Sequence, residues 1–498
     1  MENMDANLQE LDSGETATHV LDEHDPVVRS WRLPAAPHFT PAEHAARGKA
    51  ARAELPRSAH GAWEPGPSRR DPVDLLELQA RTRLPELGPI RYGRMLVSQF
   101  AFFRGGAFLM AADLADGPRT GLHAQLCGDA HLSNFGIFAA PDRRLVFSLN
   151  DFDETLPGPF EWDLKRLAAS LAVLGRESGF GDSIRRSVVT AAAREYREAM
   201  ARFAEMRNIH VWYARLDVQS IRDQLGAGVS GKKMKRFQSS VASVRTKDNI
   251  RALRKLCRTV DGERRIVGDH PLVTPIEDVV PGAEQEHLED VVRRMIRTYR
   301  QTLPHDRRQL LESYSYVHAA RKVVGVGSVG ARTWILLLTG RDDSDPLFLQ
   351  FKEAQTSVLE PFLGKSEFAQ HGQRVVEGQR MMQAASDVML GWERIVTIDG
   401  QERDFYIRQL WDSKGSAEVE LMDPSGLETY GRVCGWTLAR AHARSGDRIA
   451  IAAYLGSGGA FDRAMESFAE AYADQNERDY RALQEAVASG RIAAEMGV

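Results

Sequence analysis

Cysteine is scarce: three in 498 residues, at Cys127, Cys257 and Cys434. Their wide spacing builds neither a disulfide framework nor a zinc site, and predicts a reduced, cytoplasmic protein. Long apolar runs are missing as well. None approaches the ~18–20 residues that a bilayer-spanning helix needs, so no membrane partner is expected. The opening residues hold no basic stretch followed by an apolar one, and no signal peptide is expected. An excess of charge of one sign is also absent. Against 65 Lys and Arg stand 69 Asp and Glu, a formal net charge of −4, which gives no global attraction for nucleic acid. What is present is ordinary for a soluble globular chain, with 43% apolar and 27% charged residues. The length predicts about three domains or one large two-lobed unit.

Residues 1–25 carry eight acids and no Lys or Arg, a composition that predicts disorder. The Pro-, His- and Ala-rich stretch after Trp31 reads as an extended arm, so residues 1–70 are expected to be a disordered arm. Order is expected from Asp71, where DPVDLLELQARTR starts a helix at a proline. Residues 71–230 then hold short strands, LHAQL and RRLVFSL, around a loop, followed by two or three Ala-rich helices. Residues 231–313 read as a basic helical connector. Twelve Lys or Arg against three acids fall within 231–265, and make either a solvated helical face or a surface for a phosphate-bearing partner. Residues 314–412 read as a glycine-loop lobe and hinge, with strands over 314–353, a helix over 367–390 and a strand at RDFYIRQLW, and 413–498 read as helices completing the other lobe.

CGDAHLSNFGIF followed by RRLVFSLNDFDET puts Asp129, His131 and Asn134 on one loop and Asp151 and Asp153 on the next. A carboxylate and an amide five residues apart, then a carboxylate at a strand end, form the set that phosphoryl transfer needs. One Asp orients the attacking hydroxyl and accepts its proton. An Asn and another Asp hold Mg²⁺, which favours hard oxygen ligands. Taken singly, each residue also fits a turn that satisfies its own backbone. His131 is grouped with Asp129 as catalytic, its other role being to brace the loop. Asp153 is a second metal ligand or a helix cap. Arg104, in FFRGG, either contacts a phosphate or pairs with Asp151 or Asp163.

The second cluster is GVGSVG, with Gly325, Gly327, Ser328 and Gly330. The apolar, β-branched ARTWILLL after it reads as a strand. A strand–glycine turn–strand hairpin is the arrangement that covers nucleotide phosphates in kinases, whereas a dinucleotide fingerprint opens a helix. A third strand delivers Lys352 toward the α- and β-phosphates, unless it is an edge lysine facing water. A buried lysine needs an anionic partner. Glu377 on the next helix is the expected one, with Glu353 and Glu367 as rivals.

CGDAHLSNFG, NDFDETLPGPFEWDLKRLAAS, FAFFRGGAF, AAYLGSGGAFDRA and FAEAYADQNERDY resemble a widespread bacterial family known as domain of unknown function 2252, from about Pro56 to Ile492. GDAHLSNF and DFD are also similar to motifs of aminoglycoside and choline phosphotransferases, and WTLARAHAR to the helix before their catalytic loop. That similarity implies Asp129 as catalytic base, Asn134 and Asp151 as magnesium ligands, and Asp163 as a buttress of the loop. It departs at Cys127, where those enzymes carry histidine. In ordinary kinases the glycine hairpin and lysine precede the catalytic loop; here they follow it. The expected fold is therefore α+β and protein-kinase-like, two-lobed and circularly permuted, with the catalytic-loop lobe first. The expected activity is ATP- and Mg²⁺-dependent phosphorylation of a hydroxyl on a small molecule. Transfer of AMP and non-catalytic nucleotide binding are the alternatives.

Overall fold

The computed structural model describes residues 39–221, 241–246, 248–279, 285–323, 325–397, 400–410 and 412–498. Contacts divide the chain into two units, Met1–His44 and Ala45–Val498. In the first, Thr40 and Glu43 form a capping box. The Thr40 amide donates to Glu43 at 2.7 Å and the Glu43 amide to the Thr40 hydroxyl at 3.3 Å. This opens helix α1, Pro41–Glu54. The expected extended arm is thus corrected over this stretch: PAEHAARGKAARAE is alanine-rich with proline at its first turn, a helix signal. Residues 1–38 of the expected arm lie outside the described residues.

The second unit is ordered well before Asp71. His60 is buried and bonds the Tyr454 hydroxyl at 2.8 Å, and Trp63 meets Tyr472 edge-on at 5.0 Å. Helices α2 (Pro72–Ala80), α3 (Gly88–Met95), α4 (Gln99–Gly105) and α5 (Ala107–Ala115) follow. Asp71 caps α2 through the amides of Val73 and Asp74. Strands β1 (His123–Leu126), β2 (Phe135–Ala139), β3 (Leu145–Leu149) and β4 (Leu156–Pro159) lead into α6 (Glu161–Glu177) and α7 (Asp182–Glu205). After β5 (Leu216–Asp217) come α8 (Asn249–Leu256), β6 (Cys257–Val260), β7 (Glu263–Ile266) and β8 (Val273–Pro275). Next are β9 (Ser315–Lys322), β10 (Thr333–Thr339), β11 (Pro346–Glu353) and α9 (His371–Met382). The chain closes with β12 (Gly391–Val396), β13 (Glu402–Gln409), β14 (Gly415–Ser416), α10 (Pro424–Ser445), α11 (Arg448–Leu455) and α12 (Ala460–Ala488).

The architecture is mixed α+β. An antiparallel sheet of six strands runs β12-β13-β11-β10-β9-β8, and β2 and β3 lie between β14 and β5 in a second sheet. The run ILLL in β10 does not alternate because both faces of its strand are covered. Leu336 and Leu338 join Phe351, Phe405 and Tyr299 on one side; Ile335 and Leu337 join Phe348 and Leu253 on the other. The largest core gathers α6, α7, α10, α11 and α12 around β1–β4. Among the described residues no helix is long and apolar enough to cross a membrane.

Two sequence expectations are corrected. The basic connector is not helical throughout: β6 and β7 form a hairpin with Cys257 opposite Ile266. Its turn is Asp261-Gly262, both at positive φ (51° and 84°), the two-residue turn that Asp-Gly favours. Residues 231–240 and 247 of the basic run lie outside the described residues. Strand β12, within no expected element, pairs Trp392 with Tyr406.

Glu393, on β12, is 3% exposed and its Oε2 has no partner among the described residues. Burial pushes its carboxyl up to about 8, against a bond from Thr298. The unfolded chain releases this proton near 4.5. The folded state therefore binds more protons between those values, and stability falls as pH rises through that window. Relative to wild type, Glu393→Gln should gain melting temperature as pH is raised from about 5 to about 9. A pH-independent difference in thermal melts would show that Glu393 is ionised throughout.

Candidate active site

The chain leaves β1 through Gly128, at φ +81°. A Cβ there would lie 2.4 Å from the Glu154 carbonyl, so the two loops approach as closely as only glycine allows. Asp163, in the first turn of α6, accepts from the amides of Cys127 (2.8 Å) and Gly128 (3.0 Å). His442 of α10 stands 3.3 Å from the same carboxylate. The support runs through backbone amides, so the cysteine at 127 costs the loop nothing here.

The Asp129 carbonyl accepts from the His131 amide at 2.8 Å and from Asn134 Nδ2 at 2.7 Å. Its carboxylate takes a 2.8 Å bond from Arg166 Nε, and Arg166 Nη2 donates to the Phe103 carbonyl at 2.6 Å. His131 braces the loop, and its Nε2 lies 3.7 Å from Asp129 Oδ2. Its Nδ1 accepts from the Ser133 amide at 3.2 Å. Burial, then Arg166 and Arg104, hold its pKa well below the usual histidine value, so the ring is neutral.

Strand register brings the second carboxylate in. Phe135 pairs with Leu149, and the Asn150 amide donates to the Asn134 carbonyl at 2.9 Å. Asn134 and Asp151 therefore sit at the same open end of the β2–β3 hairpin. Above them lies one face of the six-stranded sheet. Gln350 pairs with Arg408 and Lys352 with Tyr406 across β11 and β13, and alternation puts all four on one side. Lys352 Nζ bonds Asp153 Oδ2 and lies 3.9 Å from Asp151 Oδ2. The Tyr406 hydroxyl donates to Asp153 Oδ1 at 2.8 Å, and Arg408 Nη1 to the Asn150 carbonyl at 3.2 Å.

Lys352 is buried rather than an edge lysine, but its expected partner is corrected. Glu377 pairs with Arg380 at 3.0 Å, and Glu353 with Arg332 and Arg403. The α9 face turned to the loop carries Gly378, where a Cβ would meet Thr155 at 2.4 Å, and Arg374. Arg374 donates to the carbonyls of Asp153, Thr155 and Gln355, each at 2.8 Å. Glu377 is rotated off that face. Asp153 has both oxygens engaged, Oδ2 by Lys352 and Oδ1 by Tyr406, and it caps no helix among the described residues.

The glycine loop joins β9 to β10, with Gly325 at φ +63° and Gly330 at φ +90°. It is pinned by the α2–α3 region. The Leu84 amide bonds the Gly330 carbonyl at 2.8 Å. Arg83 and Arg94 each donate at 2.6 Å, to the carbonyls of Val329 and Gly325. A Cβ on Gly327 would lie 3.4 Å from the Arg104 carbonyl. Ser328 accepts the Ala331 amide through its carbonyl at 3.1 Å.

The two carboxylates are driven apart electrostatically. Burial opposes the charge on Asp151, but Lys352, Arg408 and Lys414 outweigh it and hold the carboxyl at about 2. Burial pushes Asp129 up to about 6 despite Arg166, with the Asp151 charge adding to the rise. Lys414 is itself brought down to about 7 by burial and by Arg408. Arg166, Arg374, Arg408 and Lys414 were absent from the sequence assignment. The first lies one helical turn after Asp163, and Arg408 two residues after Tyr406 on one strand face. Among the described residues no three His, Cys, Asp or Glu converge as a metal cluster. Magnesium needs only one or two carboxylates with waters and phosphate oxygens. Asn134 spends its Nδ2 on the loop and leaves Oδ1 without a hydrogen bond among the described residues; with Asp151 it is an oxygen pair that fits such an ion.

Lys352→Met should cost about 3–5 kcal/mol, because it leaves two carboxylates facing each other without their cation. Adding Asp153→Asn should cost less than the sum of the single changes, with a coupling of about 1 kcal/mol or more. Denaturant titrations of the four proteins check this; additive costs would mean the pair is not formed.

No curated protein and no solved structure matches the chain. A family model described as "Uncharacterized protein conserved in bacteria (DUF2252)" matches residues 83–486. The matched region takes in both carboxylate loops, the glycine loop, Lys352 and α10. The chain belongs to the DUF2252 family.

Proposed function

We propose that this protein is a kinase-like phosphotransferase that uses ATP and Mg²⁺ to phosphorylate a hydroxyl of a small molecule. One observation carries the reading: Lys352, from a strand that follows a glycine hairpin, meets Asp151 and Asp153 next to a loop carrying Asp129 and Asn134. A phosphate-binding cation, an oxygen pair for the metal and a carboxylate for the hydroxyl then lie in one place.

The strand order adds support. Behind the glycine hairpin β9–β10 come the lysine strand, a helix, and a return strand β13 beside the lysine strand. The order of a permuted kinase is supported by the end of α10. The Gln125 amide of β1 bonds the Ser445 hydroxyl at 3.0 Å. A Cβ on Gly446 would lie 2.8 Å from the His123 carbonyl. A direct link there would lead from α10 into the Asp129 loop, the kinase sequence of elements.

In this reading Asp129 orients the acceptor hydroxyl and receives its proton. Lys352, Arg408 and Lys414 balance the polyphosphate charge, and Asn134 and Asp151 hold the metal. Bound there, magnesium would neutralise charge on the phosphate oxygens. Lys352 departs from the kinase pattern by pairing with Asp153 rather than a helix glutamate.

The variants Asp129→Asn and Asp151→Asn should differ in kind. Asp151→Asn removes a charged metal ligand, so MgATP affinity should fall with turnover. Asp129→Asn should leave nucleotide affinity nearly intact and cut turnover by roughly 10²–10⁴, the size of a general-base contribution. Calorimetry with MgATP, and transfer of γ- or α-labelled phosphate from ATP into a metabolite extract, read both. Wild-type turnover in Asp129→Asn would overturn the role of Asp129, and movement of the α label would replace phosphate transfer by AMP transfer.

A further inference from the structure

Arg104 is the anomaly of the cleft. It sits in the last turn of α4, half-buried, and its Nε is buried with no partner among the described residues. Among the described residues its guanidinium makes no hydrogen bond or ion pair. Neighbouring guanidiniums differ. Arg166 bonds Asp129 and the Phe103 carbonyl; Arg374 bonds three carbonyls; Arg440 bonds the Met382 carbonyl and Ser148. A guanidinium half withdrawn from water and left without a protein partner carries a desolvation cost that a bound anion would offset. The carboxylates nearest in field, Glu420 and Asp129, do not reach contact.

Its place in the fold says which use. Phe103, the preceding residue, receives Arg166, and Arg166 holds the Asp129 carboxylate. Arg104 is therefore one residue from the support of the group that faces the acceptor. On its other side its carbonyl abuts the glycine loop at Gly327. The cations for the nucleotide, Lys352, Arg408 and Lys414, surround Asp151 instead. A guanidinium offers a planar fork of donors that matches a carboxylate or phosphate in a bidentate pair.

We propose that the acceptor is an anion, a hydroxyl compound that also bears a carboxylate or phosphate, and that Arg104 binds that group beside Asp129. This rests on the phosphotransfer reading. The other source of the same chemistry is the γ-phosphate of ATP, and the test separates the two.

Inorganic phosphate is the probe, titrated into the full chain with saturating MgADP and followed by ³¹P NMR and thermal melts. Wild type should bind it, and Arg104→Gln should weaken it by about tenfold or more while ADP and ATP affinities stay within about twofold. Arg104→Lys, which keeps the charge but loses the fork, should fall between. Phosphate should raise the melting temperature of wild type and not of Arg104→Gln. Without phosphate, Arg104→Gln should melt no lower than wild type, since it removes an unpaired charge. A much lower melt would assign Arg104 a structural pair and overturn the proposal. Equal phosphate binding in wild type and Arg104→Gln would overturn it as well. Loss of ATP affinity with ADP affinity kept would give Arg104 to the γ-phosphate and overturn the acceptor assignment. If wild type binds no nucleotide while phosphate binding still needs Arg104, the anion site stands and the phosphotransfer reading falls.

Discussion

The ion pair between Lys352 and Asp153 is the constraint around which the cleft is arranged. Lys352 is 2% exposed, and a charge so buried persists only if its surroundings satisfy both partners. The surroundings do so. Tyr406 takes the second Asp153 oxygen, Arg374 takes the Asp153 carbonyl, and Asp151 adds a second negative charge at 3.9 Å. Each of these groups comes from a different element: β13, α9 and the loop after β3. Satisfying one ammonium therefore fixes the six-stranded sheet, its helix and the carboxylate loop relative to one another.

The same arrangement explains why two aspartates in one cleft behave differently. Both are mostly withdrawn from water, which by itself raises a carboxyl pKa. Asp151 faces three cations and stays ionised at about 2; Asp129 has a bond from one guanidinium and is carried up to about 6. Environments that push paired carboxyls apart in this way mark an anchored charge and a group able to exchange a proton near neutrality. Asp163 holds the Asp129 loop by its amides and touches His442, so the helix α10 also bears on where Asp129 points.

What the sequence made legible were contiguous patterns. Asn134 and Asp151 could be read because one strand hairpin holds them, with Asp129 five residues before Asn134 on the loop leading in, and the apolar run of β10 because its length and β-branching mark a strand covered on both faces. Parity and register were not legible. Arg408 reaches the cleft because it shares a face with Tyr406 and pairs with Gln350, which one strand alone does not reveal. The partner of Lys352 is not legible either, since a glutamate on the following helix fits the pattern as well as Asp153 does. The rotation of α9, set by the fit of Gly378 against Thr155, turns Arg374 inward instead. The Asp-Gly turn at 261–262 is a two-residue signal set among basic residues, where charge rather than turn chemistry dominates the pattern.

Chain order and site geometry are separable in this molecule. Lys352 and Asp153 are 199 residues apart, yet the cost of closing so long a loop grows only with the logarithm of its length. Distance along the chain is thus no obstacle to the pair, provided both halves present preformed surfaces. The sheet does so through its strand register and the loop through Asp163 and Gly128. The end of α10 lies against β1, where the Gln125 amide bonds the Ser445 hydroxyl. The residues that must be kept are those that satisfy the buried ammonium and the loop amides, whichever end of the chain supplies them first.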